Sequence, residues 1–223
     1  MSFSTLSLRS FTVAAALTAA AASASALTIP TQSIQANSIQ SFSEDALTQF
    51  ALFDITVTPL GNATPANTVG SAFNLPVTSI SISSSLKIAS GAAVGSALEL
   101  ARIYRGNKVG VTLANFKINF ETSQVLADVT PIGGTTVAQM PIYTFNVAQQ
   151  LSLKYKFPLT VTGTEVLDKL FLTPEALPVI VKSLALPAFA EPLAKETDFG
   201  KITVDVKLGL RKAVSTQPYV PAN

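Results

Sequence analysis

The side chains best suited to holding a ligand lie in one short run, Arg102-Ile-Tyr-Arg105-Gly-Asn-Lys108. Three cations surround Tyr104 in this run, and together they could receive a carboxylate, sulfate or propionate group. Cations beside a turn can equally serve to keep the end of a strand solvated. Both interpretations stand at this point, and Arg102, Tyr104 and Arg105 are the candidate ligand-binding residues.

Most catalytic chemistry is excluded by what the sequence lacks. It contains no His and no Cys, so neither a Ser-His-Asp nor a Cys-His catalytic arrangement can be built. Zinc and other transition metals lose their two commonest protein ligands for the same reason. A pair of carboxylates could still cleave a glycosidic bond, but no acidic residue stands in surroundings that would single it out. We expect no enzymatic activity, no metal site and no resident cofactor.

The composition indicates a large core beneath a weakly charged surface. Hydrophobic residues make up 48% of the chain and charged residues only 13%, about half of the usual charged share. The formal net charge is +2. A protein that binds nucleic acid needs a concentrated basic surface, so the sequence predicts no nucleic-acid partner. A small apolar ligand or another protein remains a possible partner.

The N-terminal residues have the pattern of a secretory signal peptide. Arg9 ends a short basic region, Phe11–Ala22 is an apolar run rich in Ala, and Ala24-Ser25-Ala26 fits the small-residue cleavage pattern. We therefore expect residues 1–26 to be a signal peptide and residues 27–223 to form a single β-rich domain. The expected location is secreted or periplasmic, with no membrane span after cleavage.

The stretch Val109–Thr130 carries the strongest structural signal. Apolar residues alternate with polar ones along it, which is the period of a strand with one buried face. The phase changes at Ala114-Asn115, where a bulge or a bend would restore the inward face. The stretch therefore predicts a β-hairpin.

Further segments have strand character. Leu27–Ser43 is interpreted as a wrapping segment or a short edge strand. Gly91–Gly95 interrupts the alternation that precedes it, and Ala97–Tyr104 fits either a strand or one short helix. The clearest strand predictions are Phe50–Thr58, Val77–Ser90, Leu151–Val161 and Lys201–Leu210. Because Pro158 lacks a backbone donor, Leu151–Val161 is expected to lie at an edge of the sheet or to carry a break at that residue.

Helical signals are confined to one region near residues 164–186. Thr164 can cap a helix over Glu165–Phe171, and Thr173-Pro174-Glu175 is a second helix start. Phe189–Phe199 is interpreted as a charged connection. Because no strand–helix–strand rhythm is present, the predicted fold is mainly β, an antiparallel sandwich or barrel with a short helical insertion near 164–186.

Two segments resemble a known family. The run VTLANFKINF…VLADV at Val111–Val129, and LTVTGTEVLDKLF at Leu159–Phe171, are similar to the core of HtaA-type domains. The resemblance implies a secreted or surface β-domain associated with bacterial haem capture. The family's haem site typically relies on Tyr supported by His. This chain has no His, so no haem ligand is carried over.

Two functional hypotheses follow. The first is an exported, non-enzymatic β-domain that serves as a surface or periplasmic binding or structural protein. The second is a carrier or capture protein for haem or another apolar ligand, which is the only hypothesis under which haem enters as a cofactor. In that case Tyr104, Tyr143 and Tyr155 are the candidate ligands to haem iron.

Overall fold

The computed structural model describes residues 27–30, 34–82, 88–156, 160–208 and 214–222, and the predicted signal peptide lies outside these ranges. The strands are β1 Leu27–Pro30, β2 Ile34–Ser41, β3 Thr56–Gly61, β4 Thr64–Pro65, β5 Ala72–Pro76, β6 Ser79–Ile82, β7 Ile88–Tyr104, β8 Asn107–Asn119, β9 Gln124–Pro131, β10 Val137–Lys156, β11 Thr160–Leu172 and β12 Lys201–Leu208. The helices are α1 Glu44–Leu52, α2 Ala176–Ser183 and α3 Ala190–Glu196.

All of the described strands belong to one sheet, in the order β1-β6-β7-β8-β9-β10-β11-β12-β2-β5-β4, with β3 paired to β7 beside β6. Each pair of neighbours is antiparallel. The predicted mainly β, antiparallel fold is therefore confirmed.

The sheet curls into a nearly closed barrel. The short link between β5 and β6 holds it in this shape, because it bonds to strands near both ends of the strand order. In that link, Val77 N donates to Ala36 O of β2 at 2.9 Å. The next residue, Thr78, donates its N–H to Ala92 O of β7 at 2.6 Å, and its hydroxyl accepts from Val94 N at 2.9 Å. Two adjacent residues thus connect strands that lie far apart in the order of the sheet.

The predicted hairpin at Val109–Thr130 is formed by β8 and β9. Its predicted bend is also present, since the β8–β9 register shifts between Ala114 and Lys117, and Asn115 adopts a φ of 54°. Positive φ is uncommon for residues other than Gly, and Asn tolerates it better than most. The extra residue restores the inward face of the strand, as the change of phase in the sequence requires.

The three described helices pack at one end of the barrel around an aromatic cluster. The Phe50 ring on α1 lies 5.1 Å from Phe42 and 6.2 Å from Phe199, measured between ring centroids. Phe199 in turn lies 5.6 Å from Tyr143 of β10. These contacts join α1 to β10 and to the residues that flank β2 and β12.

The strand predicted over Phe50–Thr58 is wrong in its first half, where the structure has the last turn of α1. Ser43 caps this helix, because its hydroxyl accepts from Ala46 N at 3.0 Å, and two acidic residues follow in the first turn. Asp54, with a φ of 55°, marks the turn after the helix, and the strand begins at Thr56. The residues predicted as one strand therefore belong partly to α1 and partly to β3.

The helix predicted over Glu165–Phe171 is also wrong, because this segment lies within β11, between β10 and β12. Lys169 has a φ of 53°, and the register with β10 shifts next to it. The resulting bulge places Leu167 and Leu170 in the core three positions apart, which imitates helical spacing. The second predicted start is confirmed, since Thr173 Oγ1 accepts from Ala176 N at 3.2 Å and α2 follows.

Two further predictions in the second half of the chain are refined by the structure. Leu151–Val161 carries a break, one of its two predicted alternatives, because β10 ends at Lys156, which pairs with Thr160 at the start of β11. Pro158 lies between them, outside the described residues. Phe189–Phe199 is not an irregular connection throughout, because it contains α3.

Two predictions near the N-terminus are confirmed in part. Leu27–Ser43 contains two strands: β1 is a short edge strand, as predicted, whereas β2 lies inside the sheet between β12 and β5. Gly91–Gly95 interrupts the alternation as predicted, since the register of β7 with β8 shifts between Ala93 and Ala97. The strand itself continues, and β7 includes Ala97–Tyr104. The predicted Val77–Ser90 strand corresponds to β6 and the start of β7, and residues 83–87 lie outside the described ranges.

The closing strand is confirmed over Lys201–Leu208 as β12, with Ile202 and Val204 in the core. The last two residues of the predicted strand, 209–210, lie outside the described ranges. Val204 pairs in register with Glu165, which is itself buried. Val204→Asp should therefore place a second carboxyl group opposite the first, and we expect the loss of soluble folded protein. Soluble yield and thermal melting by circular dichroism measure the outcome.

Lys207→Gln is the matched control, because Lys207 is exposed on the same strand. Its melting temperature should remain close to that of the parent protein, as is usual for surface sites. A Val204→Asp protein that melts like this control would contradict the position of β12 in the core.

Candidate functional site

The candidate residues Arg102, Tyr104 and Arg105 lie together at the tip of the β7–β8 hairpin. Tyr104 pairs with Asn107, which leaves Arg105 and Gly106 as a two-residue loop. Both loop residues have positive φ, 52° and 80°, as in the type I′ turns that suit the twist of a hairpin. The local backbone therefore holds Tyr104 as the last residue of β7, next to the helical end of the barrel.

Both guanidinium groups lie over the Tyr104 ring. The Cζ atom of Arg102 is 5.5 Å from the ring centroid and that of Arg105 is 5.2 Å from it, both within the range of cation–π attraction. The Nε atom of Arg102 is buried and has no hydrogen-bond partner. A buried donor without a partner is costly, and a guanidinium has further N–H donors that can bond to an acidic group.

Lys108, the third cation of this run, does not join the other two. Its Nζ atom forms an ion pair with Glu99 Oε1 at 2.6 Å across the β7–β8 hairpin. The sequence could not show this pairing, because Glu99 lies nine positions earlier in the chain. The positive charge available beside Tyr104 is therefore that of the two arginines.

An open pocket of about 470 Å³ adjoins Arg102 and Tyr104. Its other walls come from the end of α1 and from the connection between α2 and α3. They consist of Leu52, Phe53, Ala185, Leu186, Pro187 and Phe189. Small-molecule sites have volumes of about 300–1,000 Å³, are mostly apolar and contain a few polar anchors. The pocket combines these features, and Arg105 lies just outside its wall.

Two walls of this pocket expose large apolar side chains. Leu52 is 64% exposed and Phe189 is 61% exposed, while Tyr104 between the arginines is 36% exposed. The ring centroids of Phe189 and Phe53 are 6.0 Å apart. Phe53 is buried, so this contact anchors the wall to the core. The surface of the pocket is thus apolar, accessible and bordered by positive charge.

A second cavity lies inside the barrel, and Glu165 forms part of its wall. It has a volume of about 30 Å³, enough for a water molecule, and apolar residues form nearly all of its lining. Glu165 is only 5% exposed, and its Oε2 atom has no hydrogen-bond partner. Ser38 and Gln40 of β2 are the other polar side chains of the lining.

Burial is the main cause of the unusual acidity of Glu165. It raises the pKa of the carboxyl group to about 7, and a hydrogen bond from the backbone of Leu151 acts in the opposite direction. Glu165 was not among the predicted site residues, because its segment was predicted to be a helix and lies instead in β11. As a strand, the same segment has Gly163, Glu165 and Leu167 on one face, which would have placed the carboxyl group inside.

The other candidate tyrosines differ sharply from Tyr104 in their surroundings. Tyr143 is fully buried and hydrogen-bonded to Gln40, and burial raises the pKa of its hydroxyl to about 12. It therefore functions as a core residue. The side chain of Tyr155 lies outside the described part of the structure.

The described part of the chain offers no alternative centre of metal chemistry. Within it, no group of three or more acidic side chains lies close enough together to hold a metal ion.

None of the helices in the described ranges combines the length and apolar character that crossing a membrane would require.

Comparison with known proteins supports the fold and no particular site. No protein-family model matches the chain, and no curated protein sequence matches it. Among solved structures, the fold is similar to the crystal structure of the C-terminal domain of HtaA from Corynebacterium glutamicum, with a TM-score of 0.50 and 16% sequence identity. The match covers 79% of this chain and 98% of that one. The predicted resemblance to HtaA-type domains is thus confirmed at the level of the fold.

The buried carboxyl group leads to a testable dependence of stability on pH. Because the pKa of Glu165 is higher in the folded protein than in the unfolded chain, the folded state holds the proton more tightly. This contribution is complete below about pH 4.5 and is lost as the pH rises through about 7. The melting temperature of Glu165→Gln, relative to the parent protein, should therefore increase between about pH 5 and pH 8.

Glu121→Gln, at an exposed position, is the control and should show no such trend. Thermal melts of the three proteins across this pH range measure the effect. A difference between Glu165→Gln and the parent that stays constant with pH would show that Glu165 is charged in the folded protein.

Proposed function

We propose that this chain is an exported, non-enzymatic β-domain that binds an apolar ligand carrying an acidic group. The observation that carries the proposal is the pocket of about 470 Å³ with exposed apolar walls and Arg102 at its edge. The apolar walls would bury the body of the ligand, and the guanidinium would pair with its acid. This proposal is the carrier hypothesis, stated for one particular pocket.

Haem is the specific ligand to test first. It is a flat, largely apolar molecule with propionate groups, and Tyr serves as the axial ligand of some haem proteins. Tyr104 supplies an accessible phenol in the wall of the pocket, while the hydroxyl of Tyr143 is buried.

The chemistry of the chain supports a binding role over a catalytic one. It contains neither His nor Cys. Glu165 is the single carboxylate among the described residues lining the internal cavity, whereas glycoside hydrolysis ordinarily requires two. The pattern of residues 1–26 supports export to the periplasm or the medium.

Titration with haemin, followed by its visible absorption, tests the proposal. The parent protein should produce a saturable spectral shift. Arg102→Gln should weaken binding by about tenfold, the equivalent of one charge-assisted hydrogen bond. Tyr104→Phe should change the spectrum of the bound haem, because it removes the phenol oxygen. Lys117→Gln and Tyr219→Phe are controls that alter a matching charge and a matching hydroxyl away from the pocket.

A second probe, the apolar sulfonate 8-anilinonaphthalene-1-sulfonate, separates haem from the wider ligand class. Binding of this probe that is weakened by Arg102→Gln, without a haemin shift, would retain the apolar-acid site and remove haem. An absence of saturable binding for both probes would reject the proposed function. A haemin spectrum unchanged by Tyr104→Phe would reject Tyr104 as the iron ligand.

The absence of catalysis is a separate prediction. The purified protein should show no turnover of chromogenic glycosides, esters or peptides above the rate of a heat-denatured sample. A turnover that disappears in Glu165→Gln, and persists in Glu121→Gln, would instead identify an enzyme whose acid is Glu165.

A further inference from the structure

Bulges on β7, β8 and β10 lie close together, and with Asp128 of the intervening β9 they form a row across these strands. The strand registers shift between Ala93 and Ala97 of β7, and between Ala114 and Lys117 of β8. A third shift lies on β10, before Met140. Gly95, Asn115 and Gln139 occupy these shifts with φ values of 79°, 54° and 48°. Strained backbone of this kind concentrates at functional sites, which directs attention to what the row holds.

The row holds the C-terminal segment, residues 214–222. Asn115 forms two hydrogen bonds with one residue of this segment: its Oδ1 accepts from Tyr219 N at 2.8 Å and its Nδ2 donates to Tyr219 O at 3.0 Å. A second amide, Asn62 Nδ2, donates to Ser215 O at 2.7 Å. Both anchors engage main-chain atoms of the segment, so they would recognise an extended backbone.

The Asn115 amide is oriented by the barrel. Its Nδ2 donates to Asp128 Oδ2 at 2.7 Å, and its Oδ1 accepts from Gly95 N at 3.0 Å. Asp128 is held in turn by Gln139, whose backbone N and Nε2 donate to Asp128 Oδ1 at 2.9 and 3.0 Å. Because an ionised carboxylate can only accept, Asp128 fixes which end of the amide faces it. Asn115 is therefore ready to pair with a peptide.

Two glycines allow the segment to lie close to the barrel. A Cβ atom on Gly95 would lie 2.9 Å from Gln217 O, and one on Gly61 would lie 2.9 Å from Tyr219 Cδ2. Either distance is below normal van der Waals contact. The surface thus fits the segment in shape as well as in the placement of hydrogen-bonding groups.

We propose that this row is a peptide-docking site whose ligand is the C-terminal segment of the chain, docked as a separable strap. The site takes an extended peptide that has a free N–H and C=O at its anchor residue, with Pro directly before that residue. Pro218 restricts its own φ and favours an extended Gln217, so the segment loses less conformational freedom on docking. Residues 209–213 join β12 to the strap and lie outside the described ranges.

Tyr219→Pro in the full-length chain tests the proposal. Proline has no N–H, so the strap loses its donor to Asn115 while the barrel is unchanged. A fluorescent peptide of residues 214–222 should then bind saturably to this variant, as measured by anisotropy. Binding to the parent chain should be at least about tenfold weaker, because the attached strap competes at a millimolar effective concentration.

Adding Asn115→Ala to the Tyr219→Pro chain should abolish peptide binding, whereas adding Asn107→Ala should leave it intact. Asn107 is an exposed residue on the same strand that does not touch the strap. Circular dichroism establishes that each variant is folded. Failure of the peptide to bind the Tyr219→Pro chain, or equal binding after Asn115→Ala, would overturn the proposal.

A second measurement applies if Asn115→Ala prevents folding. The chain has no Cys, so Ala222→Cys introduces a unique position for a spin label at the exposed end of the strap. The label should be immobile in the parent background and mobile after Tyr219→Pro. Equal mobility in both backgrounds would show that the strap is not held by the Asn115 pair.

Discussion

The need to bend very long strands governs much of this structure. β7 has 17 residues and β10 has 20, whereas strands in globular proteins usually have about 3–10. A sheet of such strands curls into a barrel only if bulges change the direction of each strand and restore its inward face. At three of these bulges a residue other than glycine, Asn115, Gln139 or Lys169, adopts a left-handed conformation that costs about 1–2 kcal/mol. At Asn115 that cost is offset by hydrogen bonds on both sides of the amide.

The bent strands divide the molecule into regions with different chemistry. At one end the helices pack around an aromatic cluster, and the β7–β8 hairpin brings Arg102 and Tyr104 to the pocket beside Phe53 and Phe189. In the interior an isolated carboxyl group faces apolar walls. On the outside the bulges expose backbone and amide groups that pair with another segment of chain. These sites share no residues, so a substitution in one can be studied without altering the others directly.

The similarity to an HtaA domain concerns architecture. At 16% identity the two chains share a fold, and a fold of this kind can hold different sites. The features that support a ligand here are a hairpin tip with two arginines over one phenol, and an apolar wall formed by the end of α1 and the α2–α3 connection. The absence of His means that any haem site here would rest on Tyr104 without the partner typical of that family.

The sequence by itself determined those features that depend on neighbouring residues. The alternation and its change of phase at Ala114-Asn115 predicted both the β8–β9 hairpin and its bulge, and the Thr173 cap predicted α2. It failed where tertiary contacts prevail over local preference. The bulge at Lys169 gave a strand the spacing of a helix, so Glu165 was assigned to the wrong element and its burial was missed. Only the folded chain decided that Lys108 pairs with Glu99, that Arg102 borders a pocket formed by helices more than forty residues away, and that Asn115 holds Tyr219. These contacts arise from closure of the barrel, and no local pattern encodes which distant residues that closure brings together.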